Sequence, residues 1–366
     1  MLSYNQRKRQ NHFWEEFKLK KALATSATAL AIIGLGITLT GCGHQSTANG
    51  EKTKSTTHTV ALVTDGGGID DKSFNQSAWE GMKAWGKEHG LSKGVHGYNY
   101  AQSTSNSDFA PNINKLIKAN YKTIFGIGFN LQQTVSDAAQ ANPKTNFAIV
   151  DAVVPNRKNV ASATFQTEQS SYLAGVATAL STKTNRVGFI GGQKSAVIST
   201  FQAGFTEGVH AVNPKIKVDV KYAGSFTAPD KGQSLATAMY NNQEDVIMTA
   251  AGGTGNGVFT AAKNLAKDGK KVWVIGADRD QKSDGAYKGG NVTLTSTIKN
   301  VGSAVEDLSN RAMKDQFPGG EVLKYNLKNH GVDISRDGLS AQTWQKVQAA
   351  KEAIISGKTK VSDTVK

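Results

Sequence analysis

VALVTDGGGIDDKSFNQSAWEG, residues Val60 to Gly81, is the stretch from which the fold is read. Val60 to Val63 form a short apolar run of the length a buried parallel strand needs. Asp65 and three glycines, Gly66 to Gly68, follow it. Next come Asp70, Asp71 and Ser73, residue types that cap helices, and then Phe74, Ala78, Met82 and Trp85 at helical spacing. A carboxylate thus sits at the carboxyl end of a strand, beside a glycine turn and a helix start. In open α/β sheets that edge is where small ligands bind. Asp65 alone could be an ordinary turn residue. Phe74 shares the core-facing stripe of the helix, but its place in the first turn also lets it overhang the sheet edge.

The chain ahead of this stretch reads as a leader. Residues 1–21 hold six basic residues against Glu15 and Glu16, and Ala22 to Thr40 carries no charge and is largely apolar. A positive start and an apolar run ending in small residues mark a secretory signal. Leu39-Thr40-Gly41-Cys42 matches the bacterial lipobox, so 1–41 is expected to be a signal peptide and Cys42 the lipidated residue. An uncleaved membrane anchor is the weaker reading, because Cys42 is the only cysteine and a lone exported thiol needs a use. Residues 42–57 lack any large apolar side chain and are expected to be a flexible tether. The leader accounts for +4 of the formal charge of +14, leaving +10. The lysines responsible are scattered, without a dense run or an aromatic platform. Nucleic acid is therefore not an expected partner, and attraction to anionic lipid or cell wall is the better use of the charge.

Beyond residue 58 the pattern alternates strand and helix. Strands are expected at Val60–Val63, Thr123–Ile127, Phe147–Val150, Arg186–Ile190, Val218–Tyr222, Val246–Ala250 and Val272–Ile275. Helices are expected at Asp108–Asn120, Leu131–Ala141, Ser170–Ser181, Val197–Val212, Gln233–Asn241 and Val258–Asp268. Such alternation argues for α/β architecture with parallel sheets and right-handed crossovers. The segments divide near Val160–Gln166 into two units. Nearly every strand ends in glycine or aspartate, as at Asp65-Gly66-Gly67, Asp151, Gly252-Gly253 and Gly276-Ala277-Asp278. Turns after parallel strands use glycine in any case, but the aspartates recur as well. Two such edges facing each other would make a cleft for a small molecule.

Catalytic and cofactor motifs do not fit. Gly252 to Gly257 (GGTGNG) has the wrong spacing for a dinucleotide fingerprint, and no phosphate-loop sequence occurs. The segment from Asp278 to Ser283 departs from a calcium loop at Lys282 and Ser283. The seven histidines lack metal-ligand spacing, and there is no G-x-S-x-G elbow. The chain is not expected to be an enzyme or to need a cofactor or metal.

With these residues laid out, the chain resembles the basic membrane protein family of bacterial lipoproteins, and within it the purine-nucleoside receptor branch. The resemblance runs from about Val60 to about Val332. It is carried by TDGGGIDDKSFNQSAWEG (64–81), ATFQTEQSSYLAGVATAL (163–180), VGFIGGQKSAVISTFQAGFTEGV (187–209), YAGSFTAP (222–229), AAGGTGNGVFTAAK (250–263), GADRDQ (276–281) and LTSTIKNVG (294–302). It implies a two-lobed type I periplasmic-binding-protein fold, each lobe a parallel sheet flanked by helices, with three hinge crossings. The first lobe is expected to hold 58–163 and about 279–319, the second 164–278 and about 320–366.

The resemblance also implies a site. Phe74 and Phe226 match positions that sandwich a purine. Asp65, Asn75 and Asp151 match polar positions near the base, and Asp278 and Lys299 match positions that hold ribose hydroxyls. The backbone at Gly253 would approach the ligand, Phe201 either lines the cleft or packs, and Arg279 has no assigned effect. The implied protein is a lipid-anchored, monomeric receptor on the outer side of the cell membrane. It would take up adenosine, guanosine or inosine and deliver it to the permease of an ABC importer. A binder of a sugar or other small solute with the same fold, a surface adhesin and a nucleoside-processing enzyme are the alternatives.

Overall fold

The computed structural model describes residues 58–365. The expected signal peptide 1–41, Cys42 and the tether 42–57 lie outside the described residues. Strands β1 (Val60–Val63), β2 (Tyr98–Ala101), β3 (Thr123–Ile127), β4 (Asn146–Val150) and β5 (Val160–Phe165) alternate with helices α1 (Phe74–Glu88), α2 (Phe109–Lys118) and α3 (Gln132–Ala141). After helix α4 (Thr167–Ser181) the pattern restarts. It runs through β6 (Arg186–Gly191), α5 (Ala196–Val212), β7 (Lys217–Tyr222), α6 (Pro229–Asn241), β8 (Val246–Ala250), α7 (Gly255–Lys267) and β9 (Trp273–Gly276). A small hairpin, β10 (Ala286–Tyr287) with β11 (Gly290–Asn291), precedes β12 (Thr293–Lys299). The chain closes with α8 (Val301–Met313), β13 (Val322–Tyr325), β14 (Val332–Ile334) and α9 (Ala341–Ile355).

Two six-stranded sheets result, ordered β13-β5-β4-β3-β1-β2 and β14-β12-β9-β8-β6-β7. All neighbours are parallel except β12 and β14. The chain passes between the sheets three times: after β5, after β12 and between β13 and β14. This is the expected two-lobed architecture. The expected division of the last third is corrected at two strands. β12 pairs with β9 and β14 and so completes the second sheet, whereas β13 pairs with β5 and completes the first.

The core follows from the period of two along each strand. Val60 and Leu62 turn to the face covered by α1 and α8, where they meet Met82, Trp85, Val305 and Leu308. Ala61 and Val63 turn the other way, toward Ile113, Leu116 and Val135. The second sheet repeats the scheme, with Val187 and Phe189 facing Phe205 and Val209, and Ile190 and Ile247 facing Val258 and Phe259. Helices α1 and α8 cross at Gly81 and Gly302, where a Cβ on Gly81 would collide with the Gly302 backbone. That contact seats α1, and with it Phe74, against the sheet edge.

Each sheet winds outward in both directions from one strand, β1 in the first and β6 in the second. The strand order therefore reverses between β1 and β3 and again between β6 and β8. At such a point adjacent crossovers lie on opposite faces and leave a crevice outside the carboxyl ends of the strands.

Candidate ligand-binding site

The two crevices face one another across a single cleft of about 540 Å³, counting its mouth. Seven of the eight expected ligand-contacting residues line it: Asp65, Phe74, Asn75, Asp151, Phe226, Asp278 and Lys299. Asp71, Phe129, Ile198 and Phe201 line it too. The exception is Gly253. Gly252, whose φ is +55°, takes the lining place, and Gly253 lies beside the carbonyl of Phe226. A left-handed residue two positions past the end of β8 turns the backbone one position earlier than the sequence suggests.

The first lobe supplies a polar wall. Asp65, just past the end of β1, accepts hydrogen bonds from the Gly67 amide and the Asn75 side chain, both at 2.8 Å. Gly128, with φ +113°, passes beside its other oxygen, where a Cβ would stand 3.2 Å away. Burial pushes the Asp65 carboxyl up to about 6, against the pull of those hydrogen bonds. Asp71 caps α1 in place of Ser73. Its carboxylate accepts from the amides of Ser73, Asn75 and Gln76 and from the Asn75 side chain. Burial raises this carboxyl as well. The Asn75 amide nitrogen is thus spent on Asp65 and Asp71, which fixes the side chain's orientation and leaves its oxygen without a partner.

The end of the cleft near the crossings is ionic. Asp151 follows β4 and Asp278 follows β9, at matching places in the two sheet orders, and both take left-handed backbone with φ of 68° and 72°. Aspartate tolerates that conformation better than most residues. Lys299, the last residue of β12, is 2% exposed and its ammonium donates to the Asp151 carboxylate across the lobes. The same ammonium stands 4.6 Å from the Phe74 ring centre, 5.2 Å from Phe165 and 5.9 Å from Phe201. Burial raises the Asp278 carboxyl, while Lys299 and a 2.6 Å hydrogen bond from the Ser73 hydroxyl oppose the shift.

The second lobe supplies an apolar wall of Val197, Ile198, Phe201, Phe226, Ala250 and Gly252. Phe201 is 2% exposed and serves both core and cleft. Phe226 is half-buried, and its ring lies over Gly192, where a Cβ would collide with it. Phe129, at the end of β3, meets Phe226 edge-on with ring centres 6.4 Å apart. Phe129 and Asp71 are the notable lining residues that the sequence reading did not single out as ligand contacts. Phe129 directly follows the Gly126-Ile127-Gly128 strand end, and that was the available signal. Arg279 is partly buried and reaches Glu80 of the first lobe at 3.4 Å.

Two lobes, three crossings and a cleft at paired switch points define the class as the type I periplasmic-binding-protein fold. A solved structure described as an ABC transporter system solute-binding protein from Aeropyrum pernix shares this fold, with a TM-score of 0.75 and 23% identity over 84% of this chain and 94% of that one. Residues 58–365 match the Bmp family, described as ABC transporter substrate-binding protein PnrA-like, and the chain belongs to that family. It is 48% identical over 351 residues to the ABC transporter nucleoside-binding protein BmpA of Lactococcus lactis, covering 93% of this chain and 99% of that protein. It is 33% identical to basic membrane protein A of Borreliella burgdorferi, covering 76% and 79%. The chain is thus a substrate-binding protein and not an enzyme. Among the described residues no helix is long and apolar enough to cross a membrane.

Proposed function

We propose that this protein captures purine nucleosides such as adenosine, guanosine or inosine in the cleft and hands them to its permease while held at the extracytoplasmic face of the cell membrane through a lipidated Cys42. The observation that carries the reading is the joining of two chemistries in one cleft. Aromatic rings from both lobes, Phe74 and Phe226, meet a buried ionic end made of Asp151, Asp278 and Lys299. A flat base suits the rings, since stacking on an aromatic side chain contributes about 1–3 kcal/mol per base. Vicinal hydroxyls suit the ionic end, where carboxylates accept and the ammonium donates. Asp65, Asn75 and Asp151 then face polar edges of the ligand, and the backbone near Gly252 and Gly253 borders it. The nucleoside-binding name of the Lactococcus lactis relative supports the same reading.

Calorimetric titration with adenosine, 2′-deoxyadenosine and adenine tests it. Losing one hydroxyl leaves a buried carboxylate short of a donor, at a cost of about 1–3 kcal/mol, so the deoxynucleoside should bind about tenfold more weakly and adenine more weakly still. Asp278→Ala should flatten the ribo-to-deoxy difference. Equal affinity of the wild type for all three ligands would remove the ribose assignment, and binding of none would remove the nucleoside reading. For the anchor, mass spectrometry of the mature N-terminus should find a diacylated Cys42, and an unmodified start at another residue would refute it.

A further inference from the structure

Ser73 stands where a helix-capping serine belongs, directly before α1, yet its side chain makes no capping bond. Asp71 takes over that task. Between them Lys72 has φ of +61°, a left-handed conformation that a lysine adopts only under constraint. The freed Ser73 hydroxyl, 2% exposed, points across the cleft to the second lobe. It lies 2.6 Å from Oδ2 of Asp278 and 3.3 Å from the carbonyl of Ala277. Its neighbours are held from the same side. The Asn256 side chain donates to the Asp71 carbonyl at 3.3 Å, and the Gln281 side chain donates to the Lys72 carbonyl at 3.0 Å. The Lys72 ammonium also faces Asp284 at 3.4 Å. Three consecutive residues of one lobe are therefore each gripped by the other; Asp71 itself lines the cleft, and Ser73 holds the lining carboxylate of Asp278.

We propose that the Asp71–Lys72–Ser73 turn is the latch that couples ligand capture to lobe closure, with Ser73 as a positioning residue that sets the Asp278 carboxylate. In this arrangement Oδ2 of Asp278 is committed to Ser73 only when the lobes are closed, and its other oxygen is thereby oriented for the ligand. Opening the lobes removes the serine and the orientation together. The choice of ligand in the test rests on the nucleoside reading, but the latch itself does not.

The test uses the full chain with dyes introduced through unnatural residues at the exposed positions Lys118 and Lys231, one on each lobe. Förster transfer between them is read without ligand, and calorimetry follows adenosine and 2′-deoxyadenosine. Ser73→Ala should shift the transfer of the ligand-free protein, weaken adenosine about tenfold and shrink the ribo-to-deoxy ratio, because a buried carboxylate has lost its donor. Ser73→Thr, which keeps the hydroxyl, should restore all three. Asn256→Ala should shift the transfer while keeping the ratio. A Ser73→Ala protein with unchanged transfer and ratio overturns the proposal, even if its melting temperature falls. Should Ser73→Ala not fold, unchanged transfer in Asn256→Ala overturns the coupling instead. If the wild type binds no nucleoside, that failure belongs to the proposed function, and the transfer of the ligand-free variants still decides the latch.

Discussion

The two walls of the cleft arise from matching positions in two sheets of the same winding, and their chemistry differs. Past β1 the first lobe sets Asp65 against Gly128, whereas past β6 the second lobe leaves Gly192 bare and fills the space with the ring of Phe226. In each lobe a glycine makes room for one side chain, a carboxylate in one and a phenyl ring in the other. The fold therefore dictates where functional groups stand but not what they are. One wall can select by hydrogen-bond pattern while the other supplies contact area. The walls resemble each other only near the crossings, where Asp151 and Asp278 share a backbone conformation and flank Lys299.

That contrast is open to attack, most forcefully at Lys299. Lys299→Met keeps the bulk but leaves buried Asp151 without its partner, and breaking a buried pair in this way costs about 3–5 kcal/mol. Urea unfolding should show the loss, and Asp151→Asn added to it should recover part. A loss below about 1 kcal/mol in the single variant would mean the ionic end is compensated from elsewhere.

Acidity probes the polar wall. The Asp65 carboxyl titrates at about 6 when folded, against 3.8 ordinarily, so the folded state binds this proton more tightly than the unfolded chain. Its contribution to stability therefore falls as pH rises from about 4 to about 6, by up to about 3 kcal/mol, and the cost is fully present above that window. Burial of Asp71 and Asp278 acts in the same direction. Asp65→Asn should flatten the slope in chemical denaturation between pH 4 and 7, and an unaltered slope would place the titration elsewhere.

The apolar wall should respond in binding as well as in folding. Half-buried Phe226→Ala is expected to lose about 1–3 kcal/mol of nucleoside affinity, and some melting temperature with it, since the ring also packs on the second lobe's core. Phe74 also packs against the first lobe's core, so Phe74→Ala should lower both quantities. Phe226→Ala that melts early but binds normally would reverse the assignment. The smallest effect is expected at the rim. The Arg279–Glu80 pair is partly exposed, and Arg279→Ala should change affinity by less than about 1 kcal/mol.

The parts legible in the sequence were those whose physics is local. All seven expected strands are present, because buried parallel strands are apolar runs. β12 reads as Thr-Leu-Thr-Ser-Thr-Ile-Lys and is not among the expected strands, because it lacks an unbroken apolar run. Its hydroxyls are satisfied inside the sheet region, with Thr295 donating to the Ser335 carbonyl and Thr297 to that of Gly276. β2, with two tyrosines and an asparagine at a sheet edge, and the short β13 and β14 have no apolar run to announce them. Which sheet β12 and β13 join is decided by chain crossings, and no local pattern records that. At the cleft, Asp65, Asp151 and Asp278 stood out as strand-end carboxylates. Asp71 passed for a cap, which it also is.

The enclosure of Lys299 by three phenyl rings and a carboxylate sets how the protein meets a changing ionic environment. Mobile ions at about 0.1 M screen exposed charges over roughly 10 Å but act far less on buried ones. The ionic end of the cleft is therefore shielded from the medium, whereas the rim pairs Lys72–Asp284 and Arg279–Glu80 and the scattered surface lysines are not. A rise in salt is expected to loosen the rim pairs and to leave the Lys299–Asp151 pair nearly untouched.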